Sequence, residues 1–443
     1  MGIAKGRLAR AWAMVLVAAF VATTFAAPTL GAPESPNEVT NWNRIASETL
    51  NAFPAPAGGA PPTAQINMAM TQGAVYDAVN AITQTHEPYL LTATFDEGAS
   101  KNAAAATAAY LVLTHITTTV PAGILFPNQG TLLARLDSEH TASLGAIPAS
   151  QAKTDGIAAG TAAARAIITA RQGDGRFGPS QWIPDNDPGH WWPLSRPDGS
   201  LILDPTPWVG GVDPFLMTSS SQFRTDGPQV LTGDAWAEEF NEVKSLGRSD
   251  STTRTPEQTH IAIFWQSTPV ATWNSVARTL AGSAEHGVGV ADSARLFAML
   301  NLTAADAAIN CWNDKYFHDF WRPGNAIARA DEDDNPDTVA DASWTALITA
   351  PYPEHPSGHL CLDGAYLKVM QSYFGSDKIP FQVGSGQFPG ELRQFDRFSH
   401  ALKEIIDARI WAGLHFRTAD IQAQILGRKV AHWMEKHYFQ PLY

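Results

Sequence analysis

Cysteine is nearly absent. The 443 residues contain two, Cys311 and Cys361, enough for one disulfide or for a pair of buried free thiols. Neither an HExxH nor a paired CxxC occurs, so zinc is not indicated. Charge is sparse at 16% and poor in cations, with 30 Lys and Arg against 43 Asp and Glu. The net charge of −13 argues against general nucleic-acid binding, and any anion site must be a local concentration of positive groups. Beyond the N-terminus no apolar run is long enough to cross a membrane. Convincing strand alternation and internal repeats are also missing.

What is present is apolar and aromatic. Hydrophobic residues make up 44% of the chain and tryptophan occurs 14 times, which is the composition of a large packed interior and not of a disordered chain. Lys5, Arg7 and Arg10 precede the apolar stretch "AWAMVLVAAFVATTFAA" and the small-residue, proline-bearing "PTLGAPESP". That pattern reads as an export signal over residues 1–32, with an uncleaved anchor as the alternative. Its removal takes away three positive charges and no acid. The expected location of the mature chain is secreted or periplasmic, with no membrane attachment.

Most of the remainder carries helical periodicity. "TAQINMAMTQGAVYDAVNAI", "KNAAAATAAYLVLTHIT" and "SQAKTDGIAAGTAAARAIITAR" combine apolar spacing with small residues that favour close helix packing. Residues 173–232 differ. They are rich in Gly, Pro, Asp and Trp, have no sustained period, and read as a long ordered loop. Helices resume in "DAWAEEFNEVKSLG" and "ATWNSVARTLAGSAEHG". A long one over "ADSARLFAMLNLTAADAAINCWNDKYFHDFW" is predicted to stop at Pro323. "LDGAYLKVMQSYFG", "ELRQFDRFSHALKEIIDARIWAG" and "ADIQAQILGRKVAHWMEKHY" complete the set. The expectation is an all-α protein of two helical bundles. It comprises an N-terminal helical region (41–172), the loop region (173–232), and a C-terminal four-helix-type bundle (233–443) holding the site.

Three segments carry chemistry. In "KYFHDFWRP", Lys315 and Arg322 are seven apart, close to two helical turns, which would bring both out on nearly one face. A solvated basic face paired with Asp314 and Asp319 is the alternative. In "PYPEHPSGHLC", Pro356 precedes Ser357 and Gly358, and an amphipathic run follows. Ser357 then lies at a helix N-terminus, where free N–H groups and the dipole attract an anion. The Ser357 hydroxyl and Gly358 N–H can both donate, and His359 can exchange a proton at physiological pH. A serine cap with an incidental histidine is the alternative. In "ARIWAGLHFRTAD", Gly413 ends a helix, Thr418 is predicted to cap the next, and His415 occupies the elbow, free to point back toward Arg409. Together these residues suit a tetrahedral or trigonal oxyanion, phosphate or vanadate, because guanidinium groups match oxyanion geometry.

The ordered motifs K-x6-RP, PSGH and R-x5-H resemble the signature of the vanadium-dependent haloperoxidases. They share it with type 2 phosphatidic acid phosphatases and bacterial acid phosphatases. The flanks "YDAVNAI", "ARLFAMLNLTAADAAI", "FWRPGNAIA" and "GLHFRTAD" look like the exported bacterial haloperoxidase branch, and the resemblance spans roughly Asn41 to the C-terminus. One departure is Ala408, where the family usually has serine. The resemblance implies that Lys315, Arg322, Arg409, Ser357 and Gly358 hold the non-axial oxygens of vanadate. His415 would be the axial vanadium ligand and His359 the acid–base residue, with Lys315 polarising hydrogen peroxide. A halide would be oxidised to a hypohalous species that halogenates an organic acceptor. Phosphate can occupy the same cage. The same residues then fit a soluble acid phosphatase, with His415 attacking phosphorus and His359 protonating the leaving group. A non-catalytic oxyanion binder is a third reading, which the two histidines argue against. Relatives include monomers and dimers, so a homodimer is allowed.

If Lys315 and His359 flank one small anion, Cys311 and Cys361 should lie close together, and a disulfide joining the two motif helices is expected. Trp321, Tyr352 and His355 are candidates for a halide pocket, with core packing or a plain loop histidine as alternatives. "DEDDNPD" (331–337) offers oxygen ligands for calcium but lacks the spacing of a dedicated loop, and reads better as a solvated turn.

Overall fold

In the computed structural model the residues described are 37–180, 182–196 and 198–442; the expected export segment lies outside them. Five helices form the N-terminal half: α1 (Glu38–Asn51), α2 (Pro61–Thr83), α3 (Lys101–Thr118), α4 (Gln129–Gly145) and α5 (Gln151–Ala170). Side-chain oxygens of Ser100 and Ser150 accept backbone N–H bonds at the starts of α3 and α5, which satisfies donors the helix ends leave free. The small residues between them serve close packing. A Cβ on Gly156 would lie 2.3 Å from Ser100 O, and one on Gly160 would lie 2.4 Å from Ala104 O. The α5 backbone thus rests on α3. Helix α2 is buried on every side from Pro62 to Ile82, as expected for a helix hydrophobic all round.

Eight helices follow: α6 (Asp234–Leu246), α7 (Pro256–Phe264), α8 (Pro269–Ala281), α9 (Val290–His318), α10 (Pro323–Ala328), α11 (Gly358–Tyr373), α12 (Phe398–Trp411) and α13 (Arg417–His437). At 1.5 Å per residue, α9 is a pillar about 43 Å long. It packs on α2, α11 and α13, and one hydrophobic core runs from α1 to α13. Helices α11 and α13 meet at backbone distance. A Cβ on Gly427 would lie 2.1 Å from Cys361 O, and one on Gly364 would lie 2.5 Å from Gln424 O. No described helix is long and apolar enough to cross a membrane.

Among the described residues the architecture is all-α apart from one antiparallel hairpin, β1 (Phe381–Gly384) and β2 (Leu392–Phe395), with Phe381 opposite Phe395. Here the sequence reading is corrected. "LRQF" is strand, not the start of a helix, because Phe395 stacks on Phe381 across the hairpin and packs on Trp265, while Phe381 packs on Phe398.

The segment 173–232 is almost entirely irregular, with one 3₁₀ turn at Pro207–Gly211. Buried carboxylates fasten it to α9. Asp306 accepts backbone N–H bonds from Phe215, Leu216 and Met217 at 2.6–2.8 Å. Asp314 accepts from Thr225 N and Oγ1, both at 2.8 Å, and pairs with Arg224. In the other direction, loop residue Asp204 accepts from Trp312 and Tyr316 on α9. A loop that supplies no hydrogen-bond ladder of its own has its backbone donors satisfied by the helix it crosses.

Candidate oxyanion site

Helix α9 ends four residues earlier than its periodicity predicts. Asp319 takes a left-handed conformation (φ 46°) and its N–H closes on Lys315 O. Arg322 therefore does not share a helical face with Lys315. It stands at the N-cap of α10, and the two cations converge because the chain turns between them. Both grip the loop before α11. Lys315 Nζ donates to the carbonyls of Pro353 (2.9 Å), Glu354 (3.0 Å) and Pro356. Arg322 donates to Tyr352 O (2.8 Å), Pro353 O (3.3 Å) and Leu414 O (2.7 Å), and its Nη1 lies 3.3 Å from His415 Nε2. The Tyr352 ring sits over both, 5.2 Å from Lys315 Nζ and 5.0 Å from Arg322 Cζ.

Ser357 occupies the N-cap of α11, but its hydroxyl makes no cap bond; it faces the buried Asp420 carboxyl instead. The alternative of a simple serine cap is thereby ruled out. Helix α11 starts at Gly358, and its first-turn N–H groups project from the helix end. An added Cβ on Gly358 would lie 3.0 Å from the Trp312 ring, so any larger residue would have to push that ring aside. Ser357 N donates to Ala419 O (3.2 Å), which ties this end of α11 to the start of α13. His359 is half-buried and the other site groups are buried.

The third segment folds as its glycine indicates. Helix α12 ends at Trp411, Gly413 has φ +72°, and His415 lies in the elbow before α13. Thr418 is not the cap of α13: Phe416 holds that position, and Thr418 donates to Glu239. Arg409, in the last turn of α12, reaches only Trp265 O (3.3 Å), and its Nε has no partner. His415 Nδ1 lies 2.9 Å from Glu354 Oε1, which also accepts Phe416 N–H at 3.0 Å.

Burial governs the electrostatics. It lowers Lys315 to about 8, with Arg322 adding to the effect. It raises Glu354 to about 8, Asp420 to about 8 and Asp363 to about 7, in each case against the pull of a nearby hydrogen bond or cation. His359 and His415 fall well below the ordinary imidazole value, from desolvation first and neighbouring cations second. At neutral pH two of the acids hold protons, the arginines stay charged, and the field is positive. Buried cations whose hydrogen bonds go to carbonyls, an unpartnered Arg409 Nε and a Ser357 hydroxyl that faces only Asp420 form a donor set that fits an oxyanion.

The structure thus brings Lys315, Arg322, Ser357, Gly358, His359, Arg409 and His415 to one place. It separates the halide-pocket candidates. Tyr352 lies against the cations. Trp321 is fully buried, stacked on Trp236 at 6.2 Å, so it is a core residue. His355 is buried with Nε2 on Thr225 Oγ1 (3.2 Å) and its ring against His318. Cys311 and Cys361 are neighbours, as expected, but both are free thiols. That corrects the predicted disulfide: the Cys311 thiol approaches Pro356 O at 3.8 Å, and burial, with the Cys311 thiol beside it, raises Cys361 well above its ordinary value. In 331–337, Asp333 turns inward to Trp236, Asn335 and Thr338, and Glu332 pairs with Arg329. Those carboxylates serve a turn. Two participants escaped the sequence reading, Glu354 and Asp420. Glu354 lies inside the quoted proline-rich stretch, and an acid between prolines beside two histidines was the available signal.

Residues 295–442 match the family model of the VCPO second helical-bundle domain. Over 200 residues the chain is 28% identical to a vanadium chloroperoxidase of Curvularia inaequalis, a match spanning 38% of this chain and 32% of that protein. Among solved structures it resembles a bacterial vanadium-dependent iodoperoxidase (TM-score 0.74, 23% identity, covering 93% of this chain and 98% of the other). It also resembles the holo form of a bacterial vanadium-dependent chloroperoxidase (TM-score 0.68, 17% identity, 92% and 99% covered).

Proposed function

We propose, from the match of residues 295–442 to the VCPO second helical-bundle domain, that this chain is a vanadium-dependent haloperoxidase and uses hydrogen peroxide and vanadate to oxidise a halide. The product is a hypohalous species that halogenates an organic acceptor. The observation that carries this reading is the buried donor set around His415, in which Arg322 Nη1 lies 3.3 Å from Nε2 and Arg409 Nε has no partner.

Vanadate held there supplies Lewis-acid activation of peroxide without a change of oxidation state. The chain's own contributions follow from position. Arg409, Arg322 and Lys315 provide the charge that binds the oxyanion. The Ser357 hydroxyl and the first-turn N–H groups of α11 donate to its oxygens. His415, neutral at physiological pH, offers the Nε2 lone pair. His359 is neutral and half-buried, so it can take a proton from incoming hydrogen peroxide and pass it to solvent. Tyr352 walls the site beside Lys315 and is the halide-pocket residue of this proposal. The organic acceptor enters as a small molecule, the mature chain is exported, and residues 1–32 are its signal.

Phosphate-ester hydrolysis uses the same groups, and a neutral His415 with an unprotonated Nε2 is also what a phosphohistidine mechanism needs. One experiment separates them. Purified protein is reconstituted with orthovanadate and assayed for peroxide-dependent bromide and iodide oxidation, and the vanadate-free protein is assayed for p-nitrophenyl phosphate hydrolysis. Halide oxidation that requires vanadate is the expected result. Efficient ester hydrolysis with no halide oxidation overturns the proposal in favour of the phosphatase.

A further inference from the structure

We propose that Glu354 is the positioning residue that fixes His415 as its Nδ1–H tautomer and aims the Nε2 lone pair into the oxyanion cage. The oxyanion part rests on the reading above; the tautomer does not.

Two neighbours assign the ring proton. On one side, Glu354 Oε1 lies 2.9 Å from Nδ1. On the other, Arg322 Nη1 lies 3.3 Å from Nε2. A guanidinium has only donors, so Nε2 must be the acceptor. A neutral imidazole has one N–H, which then resides on Nδ1 and is donated to Glu354. Oε1 also takes the Phe416 N–H at 3.0 Å, so one oxygen holds both the ring and the elbow that carries it. The elbow is pinned again from behind, where Leu414 N donates to Arg409 O (3.1 Å) and Leu414 O accepts from Arg322.

Glu354 is itself held rigidly. It is fully buried. Its N–H donates to Phe320 O (2.8 Å), and its carbonyl accepts from Lys315. Pro353 precedes it. Its second oxygen, Oε2, makes no hydrogen bond, so the acid's one polar engagement is with His415 and the residue after it. A carboxyl group that accepts from the far nitrogen of a ligating histidine sets its ring orientation and tautomer, and losing such a partner typically costs about 10–100-fold in metal affinity.

The test uses the full chain labelled with 15N-histidine, free of vanadate and phosphate. Ring nitrogen shifts are assigned to His415 by their loss in His415→Gln. In the wild type the expected pattern is a protonated Nδ1 and an unprotonated Nε2. Glu354→Ala should shift His415 toward the other tautomer and weaken orthovanadate binding, measured by calorimetry, by about 10–100-fold. Glu354→Gln keeps a carbonyl oxygen for the same two N–H donors, so the tautomer should persist, with affinity within about threefold of wild type. A wild-type spectrum with the proton on Nε2 overturns the proposal. So does a folded Glu354→Ala protein with an unchanged tautomer and unchanged affinity. If Glu354→Ala does not fold, the wild-type spectrum and Glu354→Gln decide. A wild-type protein that binds orthovanadate without oxidising halide defeats the proposed reaction and leaves this inference intact.

Discussion

The loop-facing side of α9 and the oxyanion cage at its C-terminal end bury similar groups and treat them in opposite ways. Along the loop, Asp306 takes three backbone N–H bonds and Asp314 takes a backbone N–H, a hydroxyl and an arginine. In the cage, Arg409 Nε, Glu354 Oε2 and Asp363 Oδ2 have no hydrogen-bond partner in the protein, and Ser357 and Asp420 face only each other. Folded proteins satisfy nearly all buried polar groups, so a cluster of exceptions needs its own explanation. Along the loop, burial of charge builds structure. In the cage it is left unsatisfied, which costs stability and fits the proposed oxyanion ligand.

The comparison can be broken at either side. The largest effect is expected at Arg409→Ala, which should lower halide oxidation by about 10²–10³-fold, the usual loss for one donor to a developing anion. Thermal unfolding of the anion-free protein should hardly change, since a partly unpartnered buried cation leaves with the substitution. A large fall in melting temperature with activity retained would reverse the assignment. The converse change is Asp306→Asn, which puts amide hydrogens against backbone donors. A loss of about 2–4 kcal/mol in chemical denaturation is expected, with phosphate affinity in calorimetry close to wild type.

Gly427→Ala tests the frame that both regions share. Its Cβ would lie 2.1 Å from a backbone oxygen, and overpacking of this kind costs about 1–3 kcal/mol. The smallest effect is in pH. Lys315 is lowered to about 8, so its positive charge is lost as pH rises through that value. Glu354 and Asp420, raised to about 8, gain negative charge over the same range. All three changes oppose an anion. Phosphate or vanadate affinity should therefore fall with rising pH, about tenfold between pH 7 and 9 for Lys315 alone. Affinity that is flat or rising across this window contradicts that charge assignment.

Much of this was legible in the sequence, and the failures have physical causes. Helical periodicity located the helices, and Gly413 located the elbow that presents His415. The motif order brought the seven cage residues together without any geometry. Periodicity could not show that α9 stops at His318, because Asp319 ends it by adopting a left-handed conformation that its neighbours permit. Seven-residue spacing therefore gave the correct convergence of Lys315 and Arg322 for an incorrect reason. The cysteines were rightly placed side by side, but proximity does not supply oxidation. Trp321 looked like a pocket wall because it is next to Arg322 in the chain, whereas Trp236 and Phe416 draw it into the core. The prolines and histidines around Glu354 mark a rigid loop, but they do not name its partner, which lies 61 residues away.

The crossing of α11 and α13 at Gly364 and Gly427 has a consequence of another kind. Main chain meets main chain there, so the gap between the Ser357 end of one helix and the His415 elbow of the other is gauged by atoms that every residue type shares. Substitution elsewhere can reshape the approaches, recolour the surface or exchange the surrounding loops without resetting that gauge. A part calibrated in this way can be inherited whole, and lineages are then free to change which reaction it hosts while the tool itself keeps its dimensions.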